Sequence, residues 1–441
     1  MKTTVKSICY LLLSVTLGFA SCDKNGDPET PVDPGDERCN TQISEWLYGT
    51  EYEDYDFAAL CEIMDYMFYP EAGCSQVRKG NFVGRNLDWY ITDEATCIVK
   101  VDAKNNKAAS GLQHISDARY ASIATNAVTD MFTRDIAQSG VFDDVYLILP
   151  AFIAEGINEK GLYTGLNVAP TGETSLDPDK WRPLEWGLGA AFTNPGAEHT
   201  LNVGLLNRVL LDHASSVDEA LQIINSINWY EPYNFPAEGM SQSFQWLIAD
   251  STKTCVLEFI ENKPVALVSD NITEASLSTI MTNFCNVLFQ HGILNHFGSG
   301  YERYEEATAT YDTTPATMDG LKDMMQLLWY TKGYTRKQNT PGFRYSDVIP
   351  DDIGYDDFFA HPEWKTQNQY IIDYISEQQD MFNNRKGWHT EDCPLWYSRH
   401  TAVYDIRSRS YKIFLHEGLD VPRIWYDVTM DVSFAKPLDV N

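Results

Sequence analysis

The feature that most constrains this chain is a short hairpin pattern with a cysteine near its start, within Ala72–Trp89. Two strand-like runs flank Lys79-Gly80-Asn81, which is typical of a tight turn. If Lys79-Gly80 forms the turn, Cys74 lies opposite Arg85. If Gly80-Asn81 forms the turn, Cys74 lies opposite Leu87. In either register Arg85 is within cross-strand reach of Cys74, so the pattern predicts a guanidinium beside a thiol.

A guanidinium beside a thiol favours the thiolate, which is the reactive form of cysteine. If the chain is cut between Gly73 and Cys74, the new α-amine, with an ordinary pKa of about 7.7–8.0, can accept the thiol proton without a histidine. We expect Asp88 to orient the ammonium form of this amine. Because Arg85 and Asp88 lie on opposite faces of an ideal strand, both face the cysteine only if the strand bends or ends near Asn86. The same residues also allow a buried free cysteine beside an ordinary ion pair.

Four segments of the chain resemble the choloylglycine hydrolase family and occur in the family's order. They are Cys74–Trp89, which ends in Gly-Arg-Asn-Leu-Asp-Trp, then Glu155–Asn167, Met281–Asn283 and Gly300–Tyr304. The family includes bile salt hydrolases and penicillin V acylases, with acid ceramidase and N-acylethanolamine acid amidase as relatives. The interval between Asn283 and Arg303 is shorter than in typical bile salt hydrolases and closer to the acid ceramidase side. The resemblance therefore favours a linear amidase more than it favours a bile-salt substrate.

The resemblance implies a four-layer αββα sandwich of the N-terminal nucleophile (Ntn) hydrolase type, and an oxyanion hole formed by the Asn283 side chain and the Asn167 backbone N–H. It also implies that Arg303 lies near Cys74, where it would balance charge or hold substrate. Read alone, each asparagine could equally end a strand or make a turn. Read alone, Arg303 could be a surface residue paired with a neighbouring glutamate.

Periodicity over residues 74–441 predicts, without the family, stacked antiparallel sheets with helices outside them, an α+β fold. The strand-like runs are Cys97–Val101, Val145–Phe152, Gly161–Val168, Phe244–Ala249, Cys255–Ile260, Val265–Val268, Thr401–Tyr404 and Tyr411–Leu415. The helical patterns are Asp56–Met67, a helix capped by Ser216, Tyr301–Tyr311 and a helix capped by Thr317. The resemblance implies that residues 74–441 form one Ntn-hydrolase domain, with 39–73 as a propeptide or an N-terminal helical segment.

The N-terminal residues have the composition of export and tethering sequences. Residues 1–22 combine a basic start with an apolar run too short to span a membrane comfortably. Small residues before Cys22 resemble a lipoprotein cleavage box, which predicts lipidation of Cys22; an ordinary secretory signal is the alternative. Residues 23–38 are acidic and rich in proline and glycine, as in a flexible tether. We therefore expect a bacterial cell-envelope protein attached to the membrane only through a lipid anchor.

Charge and motif content exclude several function classes. The chain has 33 Lys and Arg against 63 Asp and Glu, a formal charge of −30, which argues against nucleic acid and anionic lipid as partners. The sequence has no zinc spacing among its cysteines, no HExxH, no GxSxG and no phosphate loop, so no metal or cofactor is expected. Disulfide pairing of the cysteines in the body, and the oligomeric state, stay open.

These features together predict an exported cysteine hydrolase that cleaves itself before Cys74 and then cuts linear carbon–nitrogen amide bonds through a thioester. The expected partner is a small N-acyl amide, and Trp89 and Tyr90 beside the site favour an apolar acyl part. One alternative is an acyltransferase of the same fold that passes the acyl group to an amine. Another is a non-catalytic surface lipoprotein that uses the cleft for binding.

Overall fold

The structure is a computed structural model, and it describes the chain in separate ranges. These ranges are 40–43, 47–52, 55, 57–64, 73–90, 96–103, 118–126, 149–151, 153–169, 194, 196–230, 243–260, 263–290, 298–328, 396–415 and 425–431. The predicted signal peptide, the lipidation of Cys22 and the tether lie outside them.

The described residues form two large sheets and one small two-stranded sheet. The strands are β1 Asn40–Gln42, β2 Leu47–Tyr52, β3 Gly73–Lys79, β4 Phe82–Tyr90, β5 Thr96–Val101, β6 Ser122–Asn126, β7 Ile153–Asn158, β8 Tyr163–Ala169, β9 Thr200–Asn202, β10 Asn228–Tyr230, β11 Ser243–Ala249, β12 Thr254–Ile260, β13 Lys263–Ser269, β14 Ile280–Met281, β15 Trp396–Asp405, β16 Ser410–Leu415 and β17 Trp425–Thr429. The helices are α1 Phe57–Met64, α2 Leu206–His213, α3 Val217–Ser226, α4 Asn286–Gln290, α5 Gly298–Tyr311 and α6 Met318–Leu327, with a 3-10 turn at Val203–Leu205.

The larger sheet, sheet A, has the strand order β1-β2-β5-β6-β7-β8-β11-β12-β13 in the described ranges. Its neighbouring strands are antiparallel except β2 and β5, which are parallel. The second sheet, sheet B, has the order β14-β3-β4-β15-β16-β17 and is antiparallel throughout. The two sheets therefore carry different parts of the four family-like segments, and only their packing can bring those parts together.

Three apolar clusters lie between the successive layers of a four-layer sandwich. The first packs helices α2 and α3 on one face of sheet A. The second fills the space between the sheets, where Val83 and Ala402 of sheet B meet Ile123 and Leu247 of sheet A. The third packs α5 and α6 on the outer face of sheet B. This helix–sheet–sheet–helix arrangement confirms the predicted αββα fold.

The β3–β4 hairpin decides between the two turns that the sequence allowed. Lys79 pairs with Phe82 and Cys74 pairs with Leu87, so Gly80-Asn81 is the turn. Gly80 has a φ of 59°, in the left-handed region that favours glycine. Arg85 pairs with Gln76 and is thus a diagonal neighbour of Cys74.

Most other predicted elements agree with the structure within a few residues. Ser216 and Thr317 cap their helices by accepting hydrogen bonds from the backbone N–H three residues ahead. The strand predicted at Val145–Phe152 is wrong in its described part, because Leu149–Ala151 forms a turn and β7 begins at Ile153. Pro150 explains the difference, since it cannot donate to a sheet ladder. Residues 145–148 and 152 lie outside the described ranges.

The segment before Cys74 contributes to the body of the protein. Strands β1 and β2 extend sheet A beside β5. Phe57 and Leu60 of α1 are buried in the layer between sheet A and its helices. Removing this segment would expose that apolar surface, so the packing favours a segment that stays bound.

The cysteines in the described ranges are free thiols, namely Cys61, Cys74, Cys97, Cys255 and Cys285. Cys39 and Cys393 lie outside those ranges. Within the same ranges, no helix has the length and apolar content needed to cross a bilayer.

Candidate active site

Cys74 is the second residue of β3 and its side chain is completely buried. Burial raises the pKa of the Cys74 thiol to about 11, because an anion is poorly solvated there. The Arg85 charge acts against burial, as do the backbone N–H of Asp88 and the Arg303 charge. The expectation that a guanidinium favours the thiolate is correct in sign. In the intact chain, however, burial outweighs it and the protonated thiol is preferred at neutral pH.

Arg85 lies on the face of sheet B that packs against sheet A, the same face as the thiol. Its Nε donates to Glu155 Oε2 of β7 at 3.1 Å, and its Nη1 donates to Asn167 Oδ1 of β8. Both Arg85 and Glu155 are buried, so this pair is shielded from solvent screening. Although burial disfavours the charged form, negative charge on Cys74 in its thiolate form and on Glu155 raises the pKa of Arg85, which stays cationic.

Asp88 lies on the opposite face of β4, toward helix α5. Its Oδ2 accepts from Arg303 Nη1 at 3.0 Å and its Oδ1 accepts from Ser398 Oγ of β15. The condition for both side chains to face Cys74 is not met, because the β3–β4 register continues unbroken past Asn86 to Asp88. The alternation of a regular strand instead places the two charged groups on the two faces of the sheet, with the cysteine backbone between them.

The backbone nitrogen of Cys74 is held by a residue from another part of the chain. It donates to Asn283 Oδ1 at 2.7 Å, and Arg303 Nη2 donates to the same oxygen. These two donors fix the orientation of the Asn283 side-chain amide. This nitrogen of Cys74 is the atom that would become the α-amine after cleavage.

Arg303 joins four groups around the start of β3. Besides Asp88 and Asn283, its Nη1 donates to the Cys74 carbonyl at 2.8 Å and to Ser75 Oγ at 2.7 Å. It is only 6% exposed. The alternative of a surface arginine paired with neighbouring glutamates is therefore wrong: its partners come from β3, β4 and the segment that holds Asn283.

Asn167 is placed beside Cys74 by the packing of sheet A on sheet B. Its Oδ1 accepts from Gln76 Nε2 at 2.8 Å as well as from Arg85, and its Nδ2 donates to the Cys74 carbonyl at 3.4 Å. Tyr163 supports this contact by donating to Gln76 Oε1 at 2.7 Å. The side-chain amide is thus engaged in positioning, and the oxyanion role that the resemblance implies concerns the backbone N–H of the same residue.

Asn283 lies against the start of α5, and a buried carboxyl group holds the residues that follow it. A Cβ on Gly300 would lie 2.7 Å from the Asn283 carbonyl oxygen, so only glycine permits this approach of the helix. The Glu258 carboxylate accepts three hydrogen bonds from residues just after Asn283. The donors are the Asn286 N–H at 2.7 Å, the Val287 N–H at 3.2 Å and the Cys285 thiol. Cys285 is buried, and its thiol is a donor in this contact.

The buried Glu258 should make stability depend on pH. Burial raises its pKa to about 7, so the folded chain binds the proton more tightly than the unfolded chain does. Its contribution is favourable in acid and is lost as the pH rises from about 4.5 to about 7. Between these two pH values the wild-type free energy of unfolding should fall by about 3 kcal/mol through this group. We expect Glu258→Gln to remove this part of the pH dependence.

Denaturant unfolding of both proteins at several pH values between these limits measures the effect. Glu219→Gln is the control, because hydrogen bonds and Arg119 lower the pKa of Glu219 against the effect of burial, which gives the opposite sign. Parallel stability curves for wild type and Glu258→Gln would contradict the prediction.

Three site residues were not singled out from the sequence: Glu155, Ser398 and His400. Glu155 stands alone as a charge in an apolar strand, which is a signal for a buried, paired carboxylate. Ser398 and His400 carry no such local signal. The side chains of Trp89 and Tyr90, predicted to flank the acyl group, lie outside the described part of the structure. Among the described residues there is no group of three or more His, Cys, Asp or Glu that could hold a metal ion.

Comparison with known proteins agrees with the geometry. Residues 151–340 match the family model of acyl-coenzyme A:6-aminopenicillanic acid acyl-transferase. This match and the four-layer fold confirm the predicted resemblance to the choloylglycine hydrolase-like Ntn family.

Solved structures similar to this chain include an acylase and a hydrolase. Penicillin V acylase from Agrobacterium tumefaciens is 13% identical, with a TM-score of 0.40 over 80% of this chain and 86% of its own. A mutant of conjugated bile acid hydrolase from Clostridium perfringens is 14% identical, with a TM-score of 0.38 over 83% of this chain and 95% of its own. No curated protein matches the sequence.

Proposed function

We propose that this chain is an exported cysteine Ntn hydrolase that cleaves itself before Cys74 and then hydrolyses linear carbon–nitrogen amides of small N-acyl compounds. The observation that carries the proposal is the 2.7 Å hydrogen bond from the Cys74 nitrogen to Asn283 Oδ1. It supports a role for that nitrogen in chemistry, because the same residue supplies a thiol beside the buried Arg85 and a carbonyl held by the buried Arg303. Export and lipid attachment at Cys22 are supported by the N-terminal sequence pattern.

Self-cleavage would begin with attack of the Cys74 sulfur on the Gly73 carbonyl carbon. As the carbon–nitrogen bond breaks, the thiol proton passes to the departing Cys74 nitrogen, giving a thioester and a free amine. Water then hydrolyses the thioester to a Gly73 carboxylate and restores the thiol. Asn283 and Arg303 support this step because they already hold the leaving nitrogen and the carbonyl of the same residue.

In the mature enzyme the α-amine would take the proton of the Cys74 thiol as the sulfur attacks a substrate amide carbon. Asn283 Nδ2 and the Asn167 backbone N–H would stabilise the oxyanion, a contribution of about 10²–10³ in kcat for a single donor. The ammonium then returns its proton to the leaving amine, and a thioester remains on Cys74. Attack by water releases the acid and completes the cycle.

A second candidate function is acyl transfer, which the matched family favours through its description as an acyl-transferase. The first half of the cycle would be identical, since both reactions pass through the same thioester. The difference lies in the acceptor: an amine would attack the thioester in place of water. Products formed with and without added amine distinguish the two functions.

The intact mass of purified protein tests the proposal. We expect one fragment beginning at Cys74 and a second ending at Gly73, eluting together because β1, β2 and α1 are built into the body. Bile-acid conjugates, N-acyl amino acids, phenoxyacyl amides and N-acylethanolamines are then tested for amine release. A chain that stays whole through this bond, or a mature thiol that no acyl probe labels, would favour the non-catalytic alternative.

A further inference from the structure

The two arginines beside Cys74 are both supported by one irregularity in strand β15. The register with β4 shifts between Ser398 and His400: Ser398 pairs with Asp88, while His400 pairs with Leu87. The extra residue forms a β-bulge, which re-aims the side chains on either side of it. We propose that Ser398 and His400 are positioning residues. The bulge directs their side chains to the carboxylates that hold the two arginines of the proposed active site in place.

The bulge places two nearby side chains on opposite faces of sheet B. Residues two apart on a regular strand share a face. Here Ser398 Oγ donates to Asp88 on the face toward α5. His400 Nε2 lies 2.6 Å from Glu155 Oε1 on the face toward sheet A. Without the extra residue, one of these two contacts would be lost.

On the sheet A side, a buried chain of contacts runs from His400 to Cys74. His400 holds one oxygen of Glu155 and Arg85 Nε holds the other, at 3.1 Å. Fixed in this way, Arg85 directs Nη1 to Asn167 and its charge to the thiol. Burial alone would raise the pKa of Glu155, but the His400 and Arg85 beside it lower that pKa, so the carboxylate stays charged.

On the α5 side the chain of contacts is shorter. Ser398 holds one oxygen of Asp88 and Arg303 Nη1 holds the other, at 3.0 Å. The same guanidinium reaches the Cys74 carbonyl and Asn283. Loss of the serine hydroxyl would free one end of a buried carboxylate and let Arg303 move from the atoms it holds.

If His400, Glu155 and Arg85 served stability alone, apolar residues of similar size would be expected in their place. Buried ion pairs often contribute little or negative net stability against apolar residues of similar size. The layer between the sheets is otherwise rich in buried apolar side chains. Retaining His400, Glu155 and Arg85 among them is consistent with positioning, since small displacements of a reacting group cost about 10²-fold in rate.

Matched pairs of variants test the inference, which rests on the proposed function for its kinetic part. His400→Gln keeps an N–H near the position of Nε2, whereas His400→Asn is polar but too short to reach Glu155. Ser398→Thr keeps the hydroxyl and Ser398→Ala removes it. Thr401→Val, which removes a buried hydroxyl bonded to Asn86 at 2.7 Å on the same strand, is the control for general destabilisation.

We expect His400→Asn and Ser398→Ala to lower kcat by about 10- to 100-fold with little change in KM. His400→Gln, Ser398→Thr and Thr401→Val should stay close to wild type. In His400→Asn, the alkylation of mature Cys74 should also need higher pH, because a looser Arg85 stabilises the thiolate less. Equal kcat values and equal alkylation profiles for His400→Asn, Ser398→Ala and Thr401→Val would overturn the inference.

A readout on unprocessed protein separates this inference from the proposed function. In Cys74→Ala protein labelled with ¹⁵N-arginine, the Arg85 Nε–H resonance is assigned by its loss in Arg85→Lys. We expect hydrogen exchange at this N–H to be about tenfold faster with His400→Asn than with His400→Gln, because the acceptor Glu155 is less fixed. Equal exchange rates overturn the inference even if wild type is cleaved and active. Unequal rates with an uncleaved wild type contradict only the proposed function.

Discussion

Cys74→Ala should abolish both self-cleavage and amide hydrolysis, which is the largest effect expected in this protein. Without the sulfur no thioester forms, so the chain remains intact through Gly73–Cys74 and never gains the α-amine. Loss of a nucleophile that acts together with its base costs about 10⁴-fold or more in kcat. Intact mass shows the uncleaved chain, and amine release measured over hours shows the lost activity.

Cys255→Ala is the matched control for this substitution. Cys255 is another completely buried thiol, with a pKa raised to about 12 by burial, but it lies in β12 among apolar side chains. Its removal should cost some stability and leave cleavage and turnover unchanged. If Cys74→Ala protein is still cleaved before residue 74, or Cys255→Ala protein is not, the assignment of the nucleophile is wrong.

Arg303→Met should produce the second-largest effect, on both stability and catalysis. It leaves the buried Asp88 carboxylate without its cationic partner, at a cost of about 3–5 kcal/mol in the free energy of unfolding. It also removes the donors to the Cys74 carbonyl and Asn283, so we expect kcat to fall by about 10²–10³. Thermal unfolding and single-turnover kinetics measure the two effects separately.

Arg303→Lys and Arg119→Met make this prediction specific. Lysine keeps the charge but lacks the planar fork that serves several partners at once, so stability should recover more than kcat does. Arg119 pairs with Glu219 at 2.8 Å in a partly exposed ion pair. Its loss should cost about 0–1 kcal/mol and leave catalysis unchanged. Full kcat in Arg303→Met would remove this arginine from the proposed site.

Local sequence was sufficient for features that depend on neighbours along the chain. It predicted the meander of strands β11 to β13, the caps at Ser216 and Thr317, and a hairpin that brings Arg85 near Cys74. Each of these follows from side-chain periodicity, turn chemistry or a short hydrogen bond within a few residues. The ordered resemblance added Asn167, Asn283 and Arg303 as candidates, but it could not supply their contacts.

Tertiary structure alone decided which of these residues meet, and on which face of sheet B they do so. His400 and Glu155 are 245 positions apart, and Arg303 and Cys74 are 229 apart. No local pattern encodes such pairs, because they form only when two sheets and a helix pack together. The opposite faces of Ser398 and His400 depend on a single extra residue in β15, which reverses alternation without leaving a clear trace in composition. The sequence by itself therefore determined the strands and the nucleophile candidate, whereas packing and one bulge determined the charged surroundings of the thiol.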